Sequence, residues 1–303
     1  MRVKLGDVCE RGTSNLKLSD VSEKNGEFSV FGASGYIGSV DFYQQGYPYV
    51  AVVKDGAGIG RAMLCPGKTS VIGTMQYLLP KDNILPKYLF YVVKYMNLEK
   101  YFTGATIPHI YFKDYKNEEF NFDFWERQVE IVSVLSKCEK VIDLCKQELQ
   151  LLDKLIKARF VELFGDPVSN SYGLPEATLP DLGEFGRGVS KHRPRNDIKL
   201  LGGKYPLIQT GDVANAGLYI TSYSSTYSEL GLKQSKMWDK GTLCITIAAN
   251  IAKTAILEFD ACFPDSVVGF IANERTNNIF VHYWFSFFQA ILESQAPESA
   301  QKN

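Results

Sequence analysis

Six cations and a histidine crowd the stretch from position 187 to 204: Arg187, Lys191, His192, Arg193, Arg195, Lys199 and Lys204, against the single acid Asp197. Guanidinium and ammonium groups at that density suit contacts with phosphate oxygens, although a solvated loop is the plainer use of the same residues. A sparser basic group, Lys54, Arg61 and Lys68, flanks the turn Asp55-Gly56-Ala57-Gly58-Ile59-Gly60. Lys253 lies in the corresponding stretch of the second half, and Gln209 and Asn250 each carry the paired donor and acceptor that match an adenine edge. For any one of these side chains, simple exposure to water is the competing explanation.

Catalytic patterns are harder to find. Gly56, Gly58 and Gly60 invite a nucleotide-loop reading, but the spacing is G-x-G-x-G and the residues that follow read as a strand instead of a helix. Pro264-Asp265 with Glu274-Arg275 has the residue types of a nuclease centre at a spacing that chance supplies often. His109, His192 and His282 are scattered, and none sits in a nucleophile or metal motif. No Asn-Pro-Pro-Tyr or Asp-Pro-Pro-Tyr segment offers to hold a flipped base. The six cysteines, at 9, 65, 138, 145, 244 and 262, form no Cys-x-x-Cys pair and read as free, mostly buried thiols. The chain reads as a binder without catalytic residues, metal or cofactor.

These residues need elements to hold them. From Phe124 to Phe164 there is neither proline nor glycine, and Asp123 precedes the run as an N-cap candidate. Ile131, Leu135, Cys138, Ile142, Cys145, Leu149, Leu152 and Ile156 recur at steps of three and four, the a/d seam of a coiled coil. Val132, Val134, Val141, Leu155 and Phe160 widen that stripe. Such a helix is a rod of roughly 60 Å whose seam needs a helical partner, either another subunit or a second copy of the chain. Gly165-Asp166-Pro167 stops it, and Val168 to Pro175 reads as a linker.

On either side of the rod the sequence repeats. Val3-Lys4-Leu5-Gly6-Asp7 opens one copy and Thr178-Leu179-Pro180-Asp181 the other. Gly26–Val30 answers to Gly203–Leu207, Ser70–Gly73 to Ser266–Gly269 and Tyr88–Tyr91 to Tyr283–Ser286, at an offset of about 195 residues. Tyr49–Val53, the glycine turn and Ala62–Leu64 form strand, turn, strand, matched by Thr242–Asn250 and the residues after it. The expectation is α+β: two similar strand-rich domains, 1–122 and 176–303, separated by the long coiled-coil helix (123–166) and the linker (167–175). The composition, 45% hydrophobic and 22% charged over 303 residues, suits about two ordinary domains. The net charge of −1 means that any polyanion must be met by local patches. No apolar run reaches bilayer length and no signal-peptide core is present, so a cytoplasmic location is expected.

The order of the segments resembles the DNA specificity subunit of type I restriction-modification systems. The resemblance rests on Lys4-Leu5-Gly6-Asp7-Val8, on Thr103-Gly104-Ala105-Thr106-Ile107-Pro108-His109-Ile110, and on Trp125-Glu126-Arg127-Gln128 opening the helix. It continues in Leu151-Leu152-Asp153-Lys154-Leu155, in Phe160-Val161-Glu162-Leu163-Phe164-Gly165-Asp166, and in Ser294–Asn303 as a domain-closing segment. The resemblance implies two target-recognition domains, each reading half of a bipartite double-stranded DNA target, with the helix as a ruler between half-sites. It implies partners as well: modification subunits that bind S-adenosylmethionine and methylate adenine, and a restriction motor-nuclease subunit. A complete member of the family closes its second domain with another long helix, which this chain does not reach, and its normal assembly is the expectation this puts in question. A coiled-coil scaffold joining two protein-binding domains is the alternative that the residues alone leave open.

Overall fold

The computed structural model describes residues 1–22, 26–104 and 108–295. Ala105 to Ile107 of the Thr103–Ile110 motif, and the segment 296–303 that closes the second copy, lie outside the described residues. The chain divides into two compact units, Met1–Gln147 and Glu148–Asn303.

In the first unit a four-stranded antiparallel sheet runs in the order Cys9–Thr13, Met75–Pro80, Tyr49–Val53, Ala62–Cys65. Tyr49-Val50-Ala51-Val52-Val53 is buried at every position because the strand is central and covered on both faces. Val50 and Val52 face the core built on the helix Pro86–Met96, while Tyr49, Ala51 and Val53 face a second cluster with Tyr77 and Met75. A smaller sheet orders Gly35–Val40, Phe28–Gly32 and Ser70–Val71, the last two strands parallel.

The second unit repeats the plan. Gly183–Arg187, Val267–Ala272, Leu243–Thr246 and Thr254–Leu257 stand in the same order as their counterparts, with Tyr219–Ile220 added at the edge. Leu201–Leu207 pairs in parallel with Ala261–Cys262, as Phe28–Gly32 does with Ser70–Val71. Even the entry turn is copied. The backbone N–H of Lys4 donates to the Asp7 carboxylate at 3.0 Å, and that of Thr178 donates to Asp181 at 2.9 Å. Each pair satisfies an orphan donor at the start of a one-turn helix.

The strand order corrects part of the sequence register. Ser70–Val71 is matched by Ala261–Cys262 and not by Ser266–Gly269, whose Val267-Val268-Gly269 belongs to the strand matching Met75–Pro80. The helix match shifts likewise: the buried pair Leu89 and Val93 aligns with the buried pair Val281 and Phe285 of Asn278–Gln295, three residues away from the Tyr88-with-Tyr283 alignment. Aromatic residues stand on several faces of that second helix, so matching by type alone slipped by most of a turn.

The long helix spans Trp125–Phe164. Asp123 is not its cap, since the helix begins a residue later and the Asp123 carboxylate accepts the Tyr88 hydroxyl at 2.6 Å. Its first turns are fixed by Gln128, which is fully buried. The Gln128 side chain accepts from the Leu85 backbone N–H at 2.9 Å and donates to the carbonyls of Asn83 and Asp123 at 3.1 and 3.0 Å. Ile131 and Val132 then pack on the first core. Within the second unit, Phe160 is buried against Phe280 and Phe287, with ring centroids 5.3 and 5.2 Å away.

Between these anchors the seam is uncovered: Leu135, Ile142, Leu149, Leu152 and Ile156 are 38 to 63% exposed. Cys138 and Cys145 are exposed as well, so these two thiols are not core residues, whereas Cys9, Cys65, Cys244 and Cys262 are buried. Val134, Val141 and Leu155 also face solvent. Among the described residues no helix is long and apolar enough to cross a membrane.

Replacing Gln128 by Leu keeps the volume but leaves one part-buried N–H and two part-buried carbonyls without this partner, at about 1 kcal/mol each. A loss of about 2–4 kcal/mol is expected in urea unfolding followed by first-unit reporters, and an unchanged midpoint would show that the helix start is held by packing alone.

Candidate nucleic-acid interface

Antiparallel pairing decides which loops share an end of each sheet. In the second unit Arg187 ends its strand opposite Val268, Thr246 ends its strand opposite Val267, and Ile245 pairs with Thr254. The loop after Arg187, the residues before Val267 and the turn 247–253 therefore leave the sheet at one end. The Ile247 backbone N–H donates to the Ser266 carbonyl at 3.0 Å, tying two of them together.

At that end the arginines converge on one residue. Arg187 donates from Nε and Nη2 to the Asp265 backbone carbonyl at 3.0 and 2.8 Å. Arg193 lies 3.6 Å from the Asp265 carboxylate, and Arg195 donates to it. Arg193 also donates to the Ser190 carbonyl at 2.6 Å. The following segment is pinned by Gln234, whose Oε1 accepts the backbone N–H groups of Lys191 at 2.7 Å and His192 at 3.0 Å. His192 Nε2 is 3.1 Å from Asp197. The Lys199 backbone N–H and then His192 hold the Asp197 carboxyl below its ordinary range, so His192 is already spoken for. Lys204 is paired with Glu229 at 3.5 Å.

In the turn 247–253 the glycines of the first copy are absent, yet Ala249, Asn250 and Ala252 all have positive φ. Asparagine tolerates this; each alanine costs about 1 kcal/mol. Thr246 holds the turn, its Oγ1 donating to the Asn250 carbonyl and accepting the Lys253 N–H at 3.0 Å. Asn250 is exposed and Lys253 half-buried. Gln209 sits apart from these, exposed at the start of a short helix after the second sheet, its backbone N–H donating to Asp212 at 2.7 Å.

In the first unit Lys54 and Arg61 occupy the equivalent end, since Val53 pairs with Met75. Lys54 forms an ion pair with Asp55, and His109 Nδ1 lies 2.7 Å from the same carboxylate. Burial pushes the Asp55 carboxyl up, but the hydrogen bonds from Lys54 and His109 outweigh it and hold the group below its ordinary range. With Gly56 N–H donating to the Pro108 carbonyl at 3.0 Å, the glycine turn is fastened to the Pro108-His109 segment. Arg61 curls back onto the Gly58 carbonyl at 3.3 Å. Lys68 lies past Cys65, which pairs with Tyr49, and so leaves the sheet from the opposite end. Among the described residues the ammonium groups of Lys68, Lys191 and Lys253 make no ion pair or hydrogen bond, and no three His, Cys, Asp or Glu side chains gather as a metal site would need. His282 is half-buried, its side chain against Thr254 Oγ1 at 2.9 Å, and burial lowers its pKa.

Sequence reading missed Asp265 and Gln234 as organisers of the basic loop, because they lie 70 and 43 residues from the groups they hold. Strand pairing brings Asp265 there, and Gln234 arrives at the end of the short helix Glu229–Lys233.

A family model described as the type I restriction modification DNA specificity domain matches residues 1–154 and 176–303. The chain belongs to this family. The MjaX and MjaIX type I restriction enzyme specificity subunits of Methanocaldococcus jannaschii are similar to it, at 22% identity over 252 residues and 26% over 179. The matches cover 78% and 53% of this chain, which spans 59% and 40% of the lengths of those relatives. The S subunit of the type I restriction-modification system from M. genitalium has the same fold, with a TM-score of 0.61 at 16% identity over 97% of this chain and 78% of that one. The glycine turn joins two antiparallel strands and so lacks the strand–turn–helix form of a nucleotide phosphate loop.

Gly60, at φ 79°, would place a Cβ 2.5 Å from the Glu99 backbone nitrogen, whereas Gly56, at φ 84°, faces open space. Gly56→Ala should therefore cost only about 1–2 kcal/mol from left-handed strain, and Gly60→Ala about 1–3 kcal/mol more. Equal melting temperatures for the two variants would contradict this placement of the turn.

Proposed function

We propose that the chain is the DNA-reading subunit of a type I restriction-modification complex, with domains 1–122 and 176–303 each reading one half of a bipartite double-stranded target. The helix 123–166 then serves as the spacer and docking rod for modification subunits, with a motor-nuclease subunit joining for cleavage. The chain itself binds and does not catalyse, and it works in the cytoplasm.

The observation that carries this reading is the duplicated sheet, which presents Lys54 and Arg61 in one unit and Arg187 to Arg195, Asn250 and Lys253 in the other from the same strand ends. Arg and Lys would set register on phosphates; Asn250 and Gln209 are the candidates for base edges. Lys68 and His192 would play lesser parts, one at the far end of its sheet and the other held by Asp197.

Binding of the purified chain to duplex DNA should weaken steeply with salt. Replacing Arg187, Lys191, Arg193 and Arg195 by Ala should flatten the slope of log Kobs against log salt by about two to four, at roughly 0.9 per lost phosphate contact. A slope unchanged by the four substitutions would remove the loop from the interface.

The seam Leu135, Cys138, Ile142, Cys145, Leu149, Leu152 and Ile156 is read as the surface for another chain's helix, from a modification subunit or from a second copy; Ile131, which opens the same heptad run, is taken up by the first core instead. Light scattering of the isolated chain should show association that falls on dilution and is lost in Leu135→Glu/Leu152→Glu. A wild-type monomer that stays monomeric on concentration would overturn self-pairing.

A further inference from the structure

The three-arginine cluster is filled by an anion that belongs to the chain itself. Arg193 and Arg195 are turned toward the Asp265 carboxylate, while Arg187 holds the backbone carbonyl of the same residue. The side chains of Arg193 and Arg195 are about half exposed, and that of Asp265 about a third. Ion pairs this open to water are weak and exchange readily. Three guanidinium groups gather on a residue that carries one carboxylate, two on the carboxylate and one on the backbone carbonyl, so the cluster stays net positive after the internal pairing. At its base Ser190 Oγ is buried without a hydrogen-bond partner, one residue ahead of Lys191, whose ammonium group is also unpaired.

We infer that Arg187, Arg193 and Arg195 form a phosphodiester site that Asp265 occupies in the free chain and gives up when a backbone phosphate of duplex DNA arrives. The inference rests on the DNA-reading function proposed above. A phosphodiester is the better acceptor, because it offers two oxygens to planar guanidinium forks and arrives within a strongly negative polymer. Arg187 stays as the fixed member, since its partner is a main-chain carbonyl. Asp265 thus keeps the arginines extended and partly neutralised in the absence of DNA and makes every contact with an arbitrary duplex displace an internal partner first. The site also explains why a chain of net charge −1 can carry such a basic loop without trading it for other contacts.

The test is a thermodynamic cycle on a mixed-sequence duplex oligonucleotide, using the full chain as wild type, D265N, R193A/R195A and the triple variant over a range of salt. Asn keeps the backbone carbonyl for Arg187 and removes only the charge. D265N should bind roughly three- to tenfold more tightly than wild type. Its salt slope should be steeper by about one, because no internal anion is left to take up a cation on release. The gain should vanish in the triple variant. If R193A/R195A weakens binding while D265N binds equally or less tightly, Asp265 only positions the arginines and the exchange is wrong, though DNA reading stands. If no variant, wild type included, binds duplex in a salt-dependent way, the DNA reading falls and takes the site with it. Should D265N melt far below wild type, D265S supplies the same comparison.

Discussion

The antiparallel register of the strand Val267–Ala272, held between Gly183–Arg187 and Leu243–Thr246, is the constraint on which the second unit depends. Because antiparallel neighbours enter and leave at opposite ends, this register fixes which loops share a rim. It brings Arg187 beside Asp265 across 78 residues and sets the turn 247–253 next to both. A slip of one residue would turn every buried side chain of Val267-Val268-Gly269-Phe270 to the wrong face, so the packing of Phe270 and Val268 on one side and Val267 on the other locks the rim as firmly as the core. The first unit obeys the same rule through Met75–Pro80, and its rim carries the glycine turn.

Charge on these rims is managed by local pairing. Lys54 is spent largely on Asp55, which also receives His109; His192 is spent on Asp197; Lys204 is spent on Glu229. A list of basic residues in the sequence therefore overstates the cationic surface. Among the described residues the ammonium groups of Lys68, Lys191, Lys199 and Lys253 make no ion pair or hydrogen bond, and the arginines gather loosely on one acid. Pairs of this exposure contribute little to stability, and what they do is hold long side chains in place.

The long helix is governed by a different balance. Its two ends are held by ordinary core contacts, Gln128, Ile131 and Val132 in one unit and Phe160 in the other, whereas apolar side chains of its middle turns, Leu135 to Ile156, stay substantially exposed among the described residues. A stretch of that length gains little from intrinsic propensity alone and exposes a hydrophobic stripe that water penalises.

Sequence alone determined the features that depend on local periodicity and chemistry. The heptad steps gave the rod almost to the residue, and Lys4-Leu5-Gly6-Asp7 and Thr178-Leu179-Pro180-Asp181 marked the two copies through a cap made within four residues. The strand, turn, strand unit around the glycines was legible for the same reason. What the tertiary structure decided was everything set by contacts between distant segments. The repeat register of Ser70–Gly73 and Tyr88–Tyr91 shifted because strand pairing, not residue type, assigns equivalence. Lys68 moved to the far end of its sheet from Lys54 and Arg61, since one intervening strand reverses direction. Asp265 and Gln234 became organisers of the basic loop, a role no local pattern announces, because a hydrogen bond between residues far apart in the chain leaves no trace in the spacing of either.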